Sequence, residues 1–209
     1  MSDNEGLQPN IPANQVFEIL EPVRELFRGR MFRFTAQQVR VAEHSVREFE
    51  CAERSPGVRV LVSDGTHLLL TKEWRVELNE WDYRLPGGKA FESLEDYLSF
   101  ANLSSVELHK GIIQAAQREL KEETGVELAE SAFEVLHISH CGATVIWDLY
   151  YLKAELSMRP TEKAWIRSSE GETMFPQWIE RSQVKEFCLS GKIMEDRTVA
   201  VLLRYLFPQ

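Results

Sequence analysis

The sequence predicts an α/β fold: an α/β/α sandwich in which helices cover a mixed β-sheet, with a small N-terminal antiparallel β-extension. Three observations predict it. Alternating apolar and polar residues mark short strands both before and after residue 110. One long helical pattern ending at Gly125 stands among them, and two shorter helical patterns close the chain. Strands around a long helix, with further helix at the end, bury their apolar faces as a sheet between helical layers.

Residues 1–14, with Pro9, Pro12 and several Asn and Gln, read as a disordered N-terminus. Residues 15–55 read as the β-extension and as a dimerisation element. Within it Val16 to Phe27 carries a helical or irregular apolar pattern, whereas Met31 to Phe34, Gln38 to Ala42 and Val46 to Ala52 alternate as strands do. These strands are too few to make their own core, so they must pack on the main domain or on a second subunit. Residues 56–209 form the main domain. Val58 to Val62 and Leu68 to Thr71 flank Asp64-Gly65, a hairpin signal, because glycine accepts the positive φ of a tight turn. Lys72 to Arg75 continues as strand or loop, and Trp81 to Leu85 runs straight into Pro86-Gly87-Gly88. Ser93 caps a short helix from Leu94 to Ala101, and Ser104 to Glu107 has the capping-box spacing that starts the long helix. Phe133 to Ser139, Thr144 to Leu156 and Phe175 to Ile179 read as strands, and Gln183 to Cys188 and Arg197 to Phe207 as helices. The polar stretch from Met158 to Phe175 is long for a connection, which favours either mobility or a functional lid.

The 209 residues suffice for one domain with a real core, and 44% hydrophobic content fits a soluble globular protein. A formal charge of −9 argues against a nucleic-acid backbone as partner. A polyanionic substrate then needs local positive charge or a metal ion. Cys51, Cys141 and Cys188 are odd in number and lack CxxC spacing, which predicts reduced thiols in a cytoplasmic protein. No apolar run approaches the roughly 20 residues of a membrane helix, so no membrane partner is expected.

Lys110 to Val126, KGIIQAAQRELKEETGV, carries the chemistry. Ile112, Ile113, Ala116 and Leu120 form one apolar stripe of a helix, and Glu119 and Glu123 fall along its edge rather than on the solvated face. A like-charged pair at this spacing costs roughly 0.2–0.5 kcal/mol, and more beside apolar surface, so the two carboxylates want a cation. Arg118 is spaced to hold Glu122 one turn on, and no lysine or arginine of the helix is well placed for the other two. Mg²⁺, which prefers carboxylate oxygens and keeps several waters, satisfies such a set. The run Pro86 to Lys89 can bring bare backbone to a ligand.

These residues resemble the Nudix hydrolase signature. Its second half, R-E-U-x-E-E-x-G-U, reads here as Arg118-Glu119-Leu120-Lys121-Glu122-Glu123-Thr124-Gly125-Val126, with every specified position matched. The first half departs from the pattern. Gly88 precedes Arg118 by thirty positions instead of fourteen, so about sixteen residues, approximately 91–106, are inserted, and the slot for the first glutamate holds Lys110. Glu107, Glu92 and Glu95 are the carboxylates that the insert can offer instead.

The resemblance implies a Nudix-type α/β/α sandwich and a diphosphatase acting on phosphoanhydride bonds, with Mg²⁺ as cofactor and Mn²⁺ as the alternative. It implies metal ligands in Glu119, Glu122, Glu123 and the carbonyl of Gly87, with Glu122 a ligand or nearby base and Arg118 orienting the carboxylates. Three further pieces resemble the ADP-ribose and nucleoside-diphosphate-sugar pyrophosphatase branch. They are Lys72 to Arg75, Val46 to Glu48, and Gly191 to Leu203, and they imply that Arg75, Arg47, Glu48 and Gly88 meet substrate in a homodimer. In that branch a loop glutamate activates water, which points to Glu172, with Glu170 as the second candidate. The expected substrate is ADP-ribose or a nucleoside diphosphate sugar, cleaved to nucleoside monophosphate and sugar phosphate. Arg84, where that branch has a glutamate, and Cys141 to Thr144, which lacks an acidic residue, leave base and sugar selectivity open. The alternatives are a dinucleotide or nucleoside triphosphate pyrophosphatase and a nucleotide-sugar sensor without turnover.

Overall fold

The computed structural model describes residues 17–41, 45–101, 104–142, 144–160, 166–167 and 173–207. The expected disordered terminus, residues 1–14, lies outside them. The chain divides into two compact units, Met1–Arg54 with Gly142–Ile146, and Ser55–Cys141 with Trp147–Gln209.

Among its described residues the first unit is a five-stranded sheet. Strands β1 (Phe17–Ile19) and β2 (Arg24–Arg28) pair with one edge of β3 (Phe32–Val41), and β4 (Ser45–Arg54) pairs with the other. A two-residue strand, β9 (Val145–Ile146), adds in parallel to β4. Two expectations are corrected here. In the described part of the segment read as helical or irregular between residues 16 and 27, two short strands form, 17–19 and 24–28, because their backbone groups bond to β3 in the registers Phe17↔Val41 and Arg24↔Ala36. The two strands expected between Met31 and Ala42 are one, paired along its length with β4 from Phe32↔Arg54 to Val41↔Ser45.

The second unit holds the mixed sheet. It comprises β5 (Gly57–Ser63), β6 (His67–Arg75), β7 (Glu80–Arg84), β8 (Glu134–Ser139), β10 (Leu149–Glu155), β11 (Ile166–Arg167) and β12 (Thr173–Glu180). The order is β11-β12-β6-β5-β10-β8, with β7 on β6, and the β5–β10 pair is parallel. The hairpin expected at Asp64-Gly65 forms: the Asp64 carboxylate accepts from the Thr66 and His67 amides at 2.8 and 2.7 Å, and Gly65 sits at φ 91°.

Among the described residues four helices cover this sheet: α1 (Leu94–Ala101), α2 (Ser105–Thr124), α3 (Arg181–Ser190) and α4 (Asp196–Leu206). The period-two alternation of the strands sorts them between two cores. Val58, Val60, Val62 and Leu69 meet Ile112, Ala115, Ala116 and Leu120 of α2 on one face. Leu61, Leu68 and Leu70 meet Val184 and Phe187 of α3 and Val201 and Leu202 of α4 on the other. All of β5 is buried because it is covered on both faces. Each buried Leu or Ile contributes about 1.5–3 kcal/mol, so the sheet–helix contacts fix where α2 lies. The inserted segment belongs to this unit as well. Phe91 stacks on Tyr97 and Phe100 of α1 with centroids 5.7 and 5.0 Å apart. Gly111 admits that packing, since a Cβ there would lie 3.3 Å from the Phe91 ring.

Candidate active site

Helix α2 starts and stops where its sequence says it should. The Ser104 hydroxyl accepts from the Glu107 amide at 3.1 Å, and at the far end Gly125 takes φ 73° while its amide bonds the Lys121 carbonyl. Only half of the expected capping box forms, because the Glu107 carboxylate accepts from the Ser104 hydroxyl rather than from its amide. Between these ends the buried stripe is Ile112, Ala115, Ala116 and Leu120, and it continues into Glu123.

The Pro86-Gly87-Gly88 loop lies between β5 and α2. The Val60 and Val58 amides donate to the Pro86 and Gly88 carbonyls at 2.8 and 2.9 Å, as if the strand pairing ran on into the loop. Gly87 has φ 148°, and a side chain there would overlap the Val58 carbonyl oxygen. Its amide donates to Glu123 Oε2 at 2.8 Å. At Gly88 a Cβ would stand 2.5 Å from Glu119 Oε2, so the bare backbone is what gives that carboxylate its place. The loop and two glutamates therefore share one small space.

Electrostatically that space is short of positive charge. Burial pushes the Glu123 carboxyl well up, only partly opposed by the Gly87 amide, and the charges of Glu73 and Glu119 add to the rise. Burial also pushes up Glu119, against the hydrogen bond and charge of Arg118, with Glu122 and Glu92 adding repulsion. Among the described residues no three His, Cys, Asp or Glu side chains close into a metal cage. What is present is an open, oxygen-only pair on bare backbone.

The other expected residues divide. Arg118 does not hold Glu122. Its Nη2 donates to Glu119 Oε1 and to the Lys89 carbonyl, both at 3.0 Å, and the carbonyl anchors the guanidinium over the loop. Glu122 is exposed on the same helix. Arg75 ends β6 in bonds to Glu73 at 3.2 Å and Glu77 at 2.5 Å. Arg47 and Glu48 lie on β4 of the first unit, where Glu48 accepts from Arg24 at 2.5 Å. Glu172 and Glu170 lie outside the described residues.

One cluster was not read from the sequence. Arg59, 6% exposed on β5, makes a bidentate pair with Glu195 at 2.9 and 3.1 Å. Arg84 reaches Glu195 at 3.3 Å, Glu73 at 3.2 Å and Asp82 at 3.5 Å. The Glu195 carboxylate also accepts from Thr198 at 2.5 Å, and Asp82 from the Met194 amide at 2.9 Å. The unusual arginine at position 84 thus serves as a counter-ion for three carboxylates. Its oddity was the signal available; its partners were not.

A sequence model described as NUDIX domain matches residues 53–194. The chain belongs to the Nudix family. No curated protein matches it in sequence. Among solved structures it is similar to "Crystal structure of ADP compounds hydrolase", with a TM-score of 0.58 and 18% identity over 92% of each chain. At that identity the likeness supports the fold: the Nudix α/β/α sandwich is the second unit, with its signature helix as α2. The Nudix assignment makes the protein a hydrolase and gives the shared space between α2 and the glycine loop a chemical context.

Proposed function

We propose that this Nudix hydrolase is a Mg²⁺-dependent pyrophosphatase that splits ADP-ribose or a nucleoside diphosphate sugar into nucleoside monophosphate and sugar phosphate. The observation that carries the reading is the pair Glu119 and Glu123, withdrawn from water against Gly87 and Gly88 with too little positive charge beside them. An open set of carboxylate oxygens suits Mg²⁺ or Mn²⁺, hard cations that keep waters and take substrate phosphates as further ligands. Such a cation supplies charge against the phosphate oxygens and lowers the pKa of water.

The chain's own residues do the rest. Glu119 and Glu123 would hold the cation, and the Gly87 carbonyl would add an oxygen. Arg118, tied to the Lys89 carbonyl, fixes the rotamer of Glu119. Glu122, three residues after Glu119 and next to Glu123 on the helix, serves as ligand or base. Arg75 at the end of β6 is the cation offered to substrate, once Glu77 yields it. The ADP-compound activity named for the similar solved structure supports an ADP-linked diphosphate.

The first unit supports a homodimer. Its sheet exposes Leu26, Phe27, Phe34, Val46 and Phe49, and Ala36 and Val39 are its fully buried apolar residues among those described. A sheet with so little core of its own is completed by a second copy, which brings Arg47 and Glu48 into an interface. The free thiols Cys51, Cys141 and Cys188 support a cytoplasmic setting. Among the described residues no helix is long and apolar enough to cross a membrane.

The test is a panel of ADP-ribose, nucleotide sugars, dinucleotides and triphosphates with Mg²⁺, products separated by chromatography. ADP-ribose or a nucleotide sugar should be cleaved, EDTA should stop it, and Glu122→Gln should slow it roughly 10²-fold or more. Cleavage of triphosphates alone would replace the substrate reading, and cleavage unaffected by EDTA would remove the cation.

A further inference from the structure

One end of the mixed sheet carries a row of backbone that runs from the glycine loop to two side chains the chemistry above does not use. Lys89 bridges to Gly57, Gly57 pairs with Leu149, and Leu149 pairs with Ser139. Neighbouring lines of such a row lie about 4.8 Å apart, so Ser139 stands about 14 Å from Lys89 across the same end of the sheet. Lys89 marks the catalytic end of the row, since its carbonyl holds Arg118 and its neighbour Gly88 lies against Glu119.

At the other end His140 follows Ser139 and Asp148 precedes Leu149, and His140 Nδ1 lies 2.7 Å from the Asp148 carboxylate. The backbone beneath them is fixed. The Gly57 amide donates to the Asp148 carbonyl at 3.0 Å, and Arg197 donates to the Trp147 carbonyl at 3.0 Å with its guanidinium 4.2 Å over the Trp147 ring. Side chains alternate along a strand, so Asp148 and His140 continue the face of the ladder pair Tyr150 and Ile138. Tyr150 packs on the core that α2 covers, which puts the pair on the same face of the sheet as the glutamates of α2. The His140 side chain is 70% exposed, so its ring is open to a ligand. An ionised carboxylate only accepts, so Nδ1 carries the proton that Asp148 binds and Nε2 is left to face outward.

We propose that His140, oriented by Asp148, is a specificity-determining residue that hydrogen-bonds a sugar hydroxyl at the end of the substrate remote from the glutamates. The inference rests on the substrate reading above. At about 14 Å along the row His140 cannot act on the phosphoanhydride, because a catalytic acid or base must come within hydrogen-bond reach of the reacting atoms. That separation is instead on the scale of a diphosphate with a sugar attached. Neutral imidazole offers Nε2 as an acceptor and the protonated ring offers it as a donor, and a hydroxyl answers either, since it both donates and accepts. Asp148 is the positioning residue: a ring already held by its other nitrogen loses little freedom when substrate arrives. A nucleoside diphosphate sugar carries such hydroxyls on its nucleoside ribose and on its second sugar, and product inhibition tells the two apart.

The experiment is steady-state hydrolysis of ADP-ribose by the full chain with Mg²⁺, with AMP and ribose 5-phosphate as product inhibitors. His140→Ala should raise KM about tenfold and change kcat far less, the pattern of a lost hydrogen bond that substrate and transition state share. Asp148→Asn should raise KM less and add nothing to His140→Ala in the double variant, because it acts through the ring. Weaker inhibition of His140→Ala by ribose 5-phosphate alone would place the hydroxyl on the second sugar, and weaker inhibition by AMP alone would place it on the nucleoside ribose; either supports the contact. Unchanged KM with unchanged inhibition by both products would overturn it while the activity stands, and so would a loss of kcat at constant KM. A wild type that cleaves neither ADP-ribose nor a nucleotide sugar would remove the substrate reading, and this proposal with it. His140 is exposed, so an unchanged melting temperature is expected to accompany the raised KM.

Discussion

Glu195 and Glu123 are both carboxylates withdrawn from water in the same unit, yet their ionisation moves in opposite directions. Burial alone would push both up. At Glu195 the charge and hydrogen bond of Arg59, with Arg84 and Thr198, override burial and hold the carboxyl down at about 2. At Glu123 a backbone amide and the more distant Arg59 fall short, and the group stays well above its ordinary value. Glu195 is neutralised from within the chain and has no call on a ligand. The cluster of Glu123 is under-neutralised, and the two glycines beside it are what let the loop backbone lie against its carboxylates. A charge left uncompensated against bare backbone is what separates a candidate site from a structural network.

Breaking the neutralised cluster should give the largest effect. Arg59→Leu strands Glu195 with Arg84 alone, and loss of one partner of a buried pair costs about 3–5 kcal/mol. Urea unfolding should show that loss, and the double variant Arg59→Leu with Glu195→Met should recover part of it. If Arg59→Leu were as stable as wild type, the cluster would not be the scaffold described here.

The open cluster should respond in the opposite manner. Glu119→Gln is expected to lower the hydrolysis rate by about 10²-fold or more through lost cation binding. Its melting temperature without metal should not fall, because the substitution removes a carboxylate whose charge burial disfavours more than Arg118 offsets. A variant that lost stability and activity in parallel would place Glu119 with Glu195 as structural.

How legible each cluster was follows from its range along the chain. Helix α2 was readable because Ser104, Gly125 and the Ile112 to Leu120 stripe are local signals, and the glutamates ride on that stripe. The neutralised cluster joins Arg59 to Glu195 across 136 positions, and no local pattern announces such a pair. Arg84 stood out as a departure, but its meaning needed Glu73, Asp82 and Glu195 to converge on it. For the same reason residues 17 to 28 misled: a short apolar pattern with no cap has no shape until β3 offers it a ladder. The place of the insert was hidden too, since only packing shows Gly111 admitting Phe91.

Acid should dismantle the neutralised cluster at a defined pH. The Glu195 carboxyl sits at about 2 against an ordinary 4.5, so its stabilisation is complete above 4.5 and is lost as pH falls from there toward 2. The shift corresponds to about 3 kcal/mol. Comparing urea midpoints of wild type and Glu195→Gln should show a gap at pH 6 that narrows through this window. A constant gap would assign the stability to packing rather than charge.

The smallest effect has the reverse sign and sharpens the contrast most. The folded Glu123 carboxyl lies above its ordinary 4.5, so the folded state holds its proton longer than the unfolded chain does. Stability contributed by this group is therefore highest below 4.5 and declines as pH rises past it. Glu123→Gln removes the ionisation but keeps an oxygen for the Gly87 amide. The metal-free variant should melt above wild type at neutral pH, and the two should converge below pH 4.5. Adding Mg²⁺ should raise the wild type more than the variant, because the cation binds only the ionised carboxylate and stabilises whichever folded form holds it. A metal-free wild type that melts no lower than Glu123→Gln at neutral pH would mean that the charge is already compensated, and the distinction between the two clusters would disappear.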